Sequence, residues 1–399
     1  MASRARTIGG MDASLTDESN PALVQIIRGE IEREGRITFA RFMELALYHP
    51  EHGYYLAAER RPGRKGDFLT APEATPLFGL TLARQIAECW ERLGRPAPFV
   101  VREYGAGVGG LAYDIVAGLS TEAPEVAAVL QYRLIEPNRH RLGQALAAMN
   151  EVGLGEMVTA EDGEDIEPIT GVALANEVAD ALPVHRLVLR DGQFRERNIS
   201  WRNIRFAEEE DEPSPPARDA IERMHVEGVV VPDGAAVDVS PAAAAWFVGV
   251  GRGLARGYAI IIDYGYPARE LYQAHRLAGT VRGYYEHTVT DDPFVRVGRQ
   301  DLTAHVDFTA LQRAGEAVGM RLAGFTTQGA FLTSLGLGDR LVRMQHDPET
   351  TAADYLATQA VVLRLIDPGG LGRFGVMIMA KDAPVEPPLA GFAVVGPAF

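Results

Sequence analysis

The tightest constraint on how this chain folds is a glycine turn at the end of a short apolar run. Val100-Val101-Arg102-Glu103-Tyr104 leads directly into Gly105-Ala106-Gly107-Val108-Gly109-Gly110. Residues 98–104 read as a buried strand and 111–119 as the helix that follows. Glycines at such a junction let the backbone turn tightly and approach a ligand closely, as in nucleotide-binding α/β folds. Gly105, Gly107 and Gly110 also satisfy the dinucleotide fingerprint. Glu103 separates the two readings. A carboxylate two residues before the first glycine would repel a pyrophosphate, whereas it favours the ammonium and sulfonium of S-adenosylmethionine (SAM). The turn therefore reads as a SAM cradle, with Glu103, Gly105, Gly107 and Gly109 as candidate cofactor residues.

Strand patterns recur at 98–104, 131–136, 157–160, 171–176 and 257–264, with helical patterns between the early ones. That alternation predicts a doubly wound parallel sheet covered on both faces. Late strand patterns at 321–327 and 373–380 complete the sheet from the C-terminal part. Residues 1–18 read as a flexible leader, and 19–75 as N-terminal helices plus a loop. Asn20-Pro21 opens the first helix and Thr38 caps the second. Residues 76–265 read as the nucleotide-binding core, interrupted by an insertion at about 187–250, and 266–399 as a C-terminal part. Within the insertion, the acidic run Ala207 to Pro216 reads as a solvated loop or hairpin connection.

At 399 residues with a formal charge of −15, the chain is not built to coat nucleic acid phosphates. Arg60, Arg61, Arg64 and Lys65 form a local basic cluster that reads as a solvated loop. A lone cysteine, Cys89, excludes an intrachain disulfide and sits in an amphipathic pattern as a core residue. No apolar run reaches membrane-spanning length, and no apolar signal core follows the first arginines. A cytoplasmic enzyme is expected, with no membrane or nucleic acid partner and with a homodimer left open.

The second strand ends in Glu136, where nucleotide-binding α/β folds place an acid against ribose hydroxyls. The same residue could instead cap the helix at Asn138. The fourth strand runs into Asn176-Glu177-Val178-Ala179-Asp180 at the sheet's carboxyl edge. Were the turn helical, Glu177 and Asp180 would share a face and could hold a cationic acceptor. Acids at a helix N-terminus are also favoured by its dipole. His185, His287 and His305 are too scattered for a metal spacing, so no metal is expected. Any of them could act as a general base, with His305 the one expected in the cleft.

Several blocks together resemble the MidA-like SAM-dependent methyltransferases. They are Ile37 to Met43, His49-Pro50, Gly53-Tyr54-Tyr55, Gly66 to Glu73, Asn176 to His185, Ile262 to Gly265, Asp301 to Phe308 and Thr326 to Phe331. The resemblance implies a class I, Rossmann-like methyltransferase core with an N-terminal helical region and a C-terminal insertion beside the cleft. It implies that the Gly66 to Glu73 loop covers the cofactor, which makes Phe68, Thr70 and Glu73 cofactor-side candidates beside Asn176. It also implies an acceptor such as a peptidyl arginine, held by Glu177 and Asp180, with S-adenosylhomocysteine as product. Two departures stand out. Val178-Ala179 replaces the two phenylalanines usual in the family, and Ala106 and Val108 replace a proline and an arginine. A smaller pair at 178–179 suits a different acceptor, so an O- or C-methyltransferase acting on a small molecule is an alternative. A catalytically silent assembly protein is another.

Overall fold

A computed structural model describes residues 18–56, 75–163, 166–273 and 277–393. The loop bearing Phe68, Thr70 and Glu73, the basic cluster and the leader up to residue 17 lie outside these residues. The core is a sheet of seven strands: β1 Phe99–Tyr104, β2 Leu130–Ile135, β3 Val158–Ala160, β4 Ile169–Asn176, β5 Leu254–Asp263, β6 Met320–Thr327 and β7 Gly375–Lys381. Their spatial order is β6-β7-β5-β4-β1-β2-β3. All pairings from β3 across to β5 are parallel, and β7 runs antiparallel to both β5 and β6. Every strand expected from the sequence is present.

Strands buried on both faces need apolar residues at every position rather than at alternate ones. In β4, Val172 and Leu174 enter one core and Ala173 and Ala175 the other. Helices Leu77–Arg92, Gly110–Glu122 and Arg139–Glu151 contribute to the first core. Helices Pro241–Arg252 and Phe308–Glu316 contribute to the second. Cys89 is fully buried in the first core, as expected. Arg102, also fully buried, is neutralised by Glu161 through two hydrogen bonds of 2.5 and 2.7 Å.

The chain leaves β1 toward β2 and β3, then returns to lay β4 on the other side of β1. The crevice at the carboxyl ends of β1 and β4 is thus the switch point where ligands of such sheets bind. The two N-terminal helices, Pro21–Glu34 and Phe39–Tyr48, begin at caps Asn20 and Thr38 as the sequence predicts.

The insertion is more ordered than its composition suggests. It forms an antiparallel sheet in which Ile37–Thr38, Gln193–Arg202, His185–Arg190 and Ala236–Val239 lie side by side. The acidic run is itself a strand, Arg205–Asp211, paired with Gln193–Arg202, and Pro215 and Pro216 start a helix that runs to Val226. Its carboxylates are met by arginines: Arg186 with Glu208 at 2.6 Å, Arg202 with Glu209 at 2.7 Å and Arg190 with Glu210 at 2.8 Å. Arg202 lies on the paired strand, and Arg186 and Arg190 reach across it from the strand beyond, so opposite charges favour this run as a strand and not a solvated loop.

Candidate active site

The glycine turn follows β1 at the switch point. Gly105, Gly107 and Gly109 have φ of 69°, 57° and 82°, a left-handed region that residues with a Cβ rarely adopt. They serve different ends. A Cβ on Gly109 would press on Ala145 and Met149 at 3.1 Å, so this glycine lets two helices pack. A Cβ on Gly105 would meet Val178 Cγ2 at 2.7 Å. Among the described residues, no atom lies within 4 Å of a Cβ position on Gly107. Its N–H donates to Glu136 Oε2 at 2.8 Å, and Asn138 N–H donates to Glu136 Oε1 at 2.9 Å. Glu136 therefore stands against the turn, with the role of local cap combined with a carboxylate aimed at the cradle.

Glu103 is only 3% exposed and accepts a 2.6 Å hydrogen bond from the Tyr132 hydroxyl. Burial, aided by the charge of Glu136 and opposed by Tyr132, pushes its carboxyl up to about 7. Across the crevice, Asn176 ends β4. Its Nδ2 donates to Glu177 Oε1 at 3.1 Å, while its Oδ1 is buried with no hydrogen-bond partner among the described residues. An orphaned buried acceptor is costly and fits a donor arriving with a ligand. The open face at Gly107, the anion at Glu136 and this orphan together fit an adenosyl cofactor.

The acceptor side is not the helical face that the spacing suggested. Glu177 lies outside any helix, with a left-handed φ of 54°, and the helix after it is a single 3-10 turn, Ala179–Ala181. A residue that sequence reasoning did not single out shapes this turn. Asp263, ending β5 and 1% exposed, accepts the N–H groups of Val178 (3.1 Å), Ala179 (2.8 Å) and Asp180 (3.3 Å) on one oxygen. Its other oxygen takes the Tyr264 N–H at 2.7 Å. One buried carboxylate thus fixes the backbone from which Asp180 projects. Burial and the charges of Asp263, Asp301 and Glu177 push the Asp180 carboxyl well above its ordinary range, against a hydrogen bond from the Ala181 N–H.

The histidines separate clearly. His185 is buried in the antiparallel sheet, 2.6 Å from Glu196, and is a structural residue there. His287 sits in the exposed turn after Tyr285 with φ of 64°. His305 comes to the rim of the crevice, since the N–H of Ala304 donates to the Asp180 carbonyl at 2.9 Å. Its ring packs on Tyr264 (4.2 Å between centroids) and Tyr266 (5.8 Å). Among the described residues no group of three metal-ligating side chains comes together.

Comparison with known proteins agrees with this geometry. Residues 81–326 match a family of S-adenosyl-L-methionine-dependent methyltransferases. The chain belongs to this family. A COG1565 superfamily member from Burkholderia thailandensis, solved bound to S-adenosyl-homocysteine, is 33% identical with a TM-score of 0.84, covering 97% of this chain and 98% of its own. The mitochondrial protein arginine methyltransferase NDUFAF7 homolog of Drosophila melanogaster is 27% identical, over 92% of this chain and 86% of its own. Its mouse counterpart is 27% identical, over 83% and 78%. The protein is a SAM-dependent methyltransferase with a Rossmann-like core, and its cofactor is SAM. No helix among the described residues is long and apolar enough to cross a membrane.

Proposed function

We propose that this methyltransferase modifies a guanidinium nitrogen of a peptidyl arginine, held by Asp180 and Glu177. The observation that carries the reading is the charge balance at Asp180. Among the described residues, the charged groups acting on it are the carboxylates of Asp263, Asp301 and Glu177. A set of acids withdrawn from water is costly unless a cation joins it. Arginine suits such a set better than lysine, because its planar fork matches carboxylates with paired N–H groups. The arginine specificity stated for the fly and mouse relatives supports the same choice. The net charge of −15 favours a basic peptide segment over nucleic acid.

On this reading Glu103 attracts the cofactor's ammonium, Gly105 and Gly107 admit its backbone-hugging approach, and Glu136 and Asn176 face the nucleoside. SAM, when bound, supplies an electrophilic methyl on sulfur. The protein's part is positioning, desolvation and proton handling. Asp180 and Glu177 accept N–H bonds from the guanidinium and draw its positive charge toward the nitrogens they bind. The remaining nitrogen keeps the lone pair that reacts. Asp180, its carboxyl raised by its acidic neighbours, is a base able to take the proton that the methylated nitrogen sheds. Val178 and Ala179 are smaller than the family's usual aromatics, and Val178 packs toward Gly105. A cytoplasmic location belongs to this proposal too. The fly and mouse relatives are described as mitochondrial, and cell fractionation decides between the two.

The test is transfer from methyl-labelled SAM to an arginine-centred peptide library, with mass spectrometry locating the added methyl. Label on arginine, lost in Asp180→Asn while S-adenosylhomocysteine binding persists, is the expected result. Label confined to another residue type or to small-molecule hydroxyls would sink the arginine assignment.

A further inference from the structure

We propose that Asp301 is a second acceptor-binding carboxylate, facing Asp180 from the C-terminal part of the chain, and that Tyr55 is the residue that positions it. The inference rests on the arginine reading above and names the rest of its binding site. Asp301 opens the strand Asp301–Thr303 and is 8% exposed. Its Oδ1 accepts a 2.8 Å hydrogen bond from the Tyr55 hydroxyl. The Tyr55 carbonyl in turn accepts from Asn138 Nδ2 at 2.7 Å, and the Asn138 N–H lies on Glu136. Tyr55 thereby spans the distance between the cofactor-side acid and the acceptor-side acid.

Independent contacts bring Asp180 into the same chamber. The N–H of Ala304, three residues beyond Asp301, donates to the Asp180 carbonyl at 2.9 Å. Tyr48 stacks on Tyr55 with centroids 5.6 Å apart, and its hydroxyl donates to the Ala181 carbonyl at 3.1 Å. Asp180 and Asp301 act on the same three phenols, Tyr48, Tyr55 and Tyr284, and raise each of them. Among the described residues, the groups facing Asp180 are thus the carboxylates of Asp263, Asp301 and Glu177 and these three tyrosines. Arg282 acts on Tyr284 but is itself paired with Asp291 at 3.0 Å.

Two carboxylates supplied by different parts of the chain can flank a guanidinium and engage separate edges of its fork. Tyrosine rings beside them offer faces on which a planar cation stacks. The Tyr55 hydroxyl fixes the rotation of the Asp301 carboxylate, so Tyr55 acts through Asp301 rather than on the acceptor.

Full-length Asp301→Asn, Asp301→Glu and Tyr55→Phe are compared with the wild type on the arginine-centred library, alongside calorimetric titration with S-adenosylhomocysteine. Asp301→Asn is expected to raise KM for the arginine peptide about tenfold or more, with cofactor affinity within about twofold of wild type. Asp301→Glu recovers part of the loss, and Tyr55→Phe raises KM about threefold. Asp301 also raises the Asp180 carboxyl. Removing its charge therefore moves the acid limb of the kcat/KM profile to lower pH, which mere loosening of structure does not do. Unchanged KM and an unmoved acid limb in Asp301→Asn, with the wild type methylating arginine, overturn the proposal and leave the arginine reading standing. A wild type that labels no arginine overturns both. Should Asp301→Asn lose cofactor binding through misfolding, Tyr55→Phe decides, and an unchanged KM there overturns the proposal.

Discussion

Glu103 makes a quantitative prediction about cofactor binding. In the free protein its carboxyl is pushed from an ordinary 4.5 up to about 7 by burial beside Glu136, with the Tyr132 hydroxyl partly offsetting the shift. An ammonium arriving beside it favours the ionised form and returns the pKa toward its ordinary range. Binding then draws on only that fraction of the protein already ionised. The fraction is about one half at pH 7 and about 3% at pH 5.5, so affinity for S-adenosylhomocysteine should fall about fifteenfold between these values. Titration calorimetry at pH 7 in two buffers of different ionisation enthalpy should show about half a proton released per cofactor bound. The stability of the free protein carries the opposite sign. A carboxyl raised on folding costs stability as pH climbs from about 4.5 through about 7, because the unfolded chain ionises first. Glu103→Gln should abolish both slopes and weaken binding at pH 7. Equal affinity at pH 5.5 and 7, with no proton released, would refute the placement of the cofactor's ammonium at Glu103.

Three further substitutions separate the parts of the site. Gly107→Val should abolish measurable cofactor binding while the fold survives, because φ of 57° costs a side chain about 1–2 kcal/mol but its Cβ meets no atom of the described residues. Circular dichroism and calorimetry together check this. Asp263→Asn exchanges an anion that holds three amides for a neutral group, and should lower kcat by at least about tenfold with cofactor affinity retained. Gly105→Ala should destabilise by about 1–3 kcal/mol in chemical denaturation, from its φ of 69° and its contact with Val178. Adding Val178→Ala should recover part of that loss, and strict additivity of the two would show that the contact is absent.

The sheet was legible because its chemistry is local. A strand buried on both faces carries apolar residues on both, and β1, β4 and β5 are largely written that way, with the paired Arg102 and Glu103 of β1 as exceptions. The caps Asn20 and Thr38 were legible for the same reason, since each needs only its own side chain and the next amides. The acidic strand was hidden because its charges look solvated until the arginines of neighbouring strands are placed beside them. The geometry of Glu177 and Asp180 was hidden more deeply. Spacing suggested a helical face, but the turn is bent by Asp263, which lies 83 to 85 residues away along the chain. Asp263 and Asp301 appeared in the sequence only within blocks of family resemblance. Nothing local marks a carboxylate whose partners are remote backbone amides, or one whose partner is a tyrosine 246 residues earlier.

These remote contacts bear on why the additions to the core exist. A Rossmann-like sheet alone supplies the glycine turn, Glu136 and Asn176, the groups proposed to face the nucleoside. It does not enclose an acceptor. On the proposed reading the walls on that side come from elsewhere: Tyr48 and Tyr55 from the N-terminal region, and Asp301 with Tyr284 from the C-terminal part. Because Tyr55 contacts Asn138 through its carbonyl and Asp301 through its hydroxyl, the two additions meet across the cofactor edge rather than packing on it independently. Loss of either should therefore spare the sheet more than the chemistry. Asn138→Ala offers the sharpest form of this argument, since it cuts the link at the cofactor edge without touching either acid. It removes a 2.7 Å bond to Tyr55 and the cap on the helix Arg139–Glu151, a loss of about 1 kcal/mol from the cap alone. Asn138→Asp keeps the cap, loses the N–H donated to Tyr55 and sets a carboxylate oxygen against its carbonyl. If Tyr55 is held from the cofactor side, both variants should raise KM for the acceptor. If only Asn138→Ala does so, the effect belongs to the helix, and the acceptor wall stands without help from the cofactor edge.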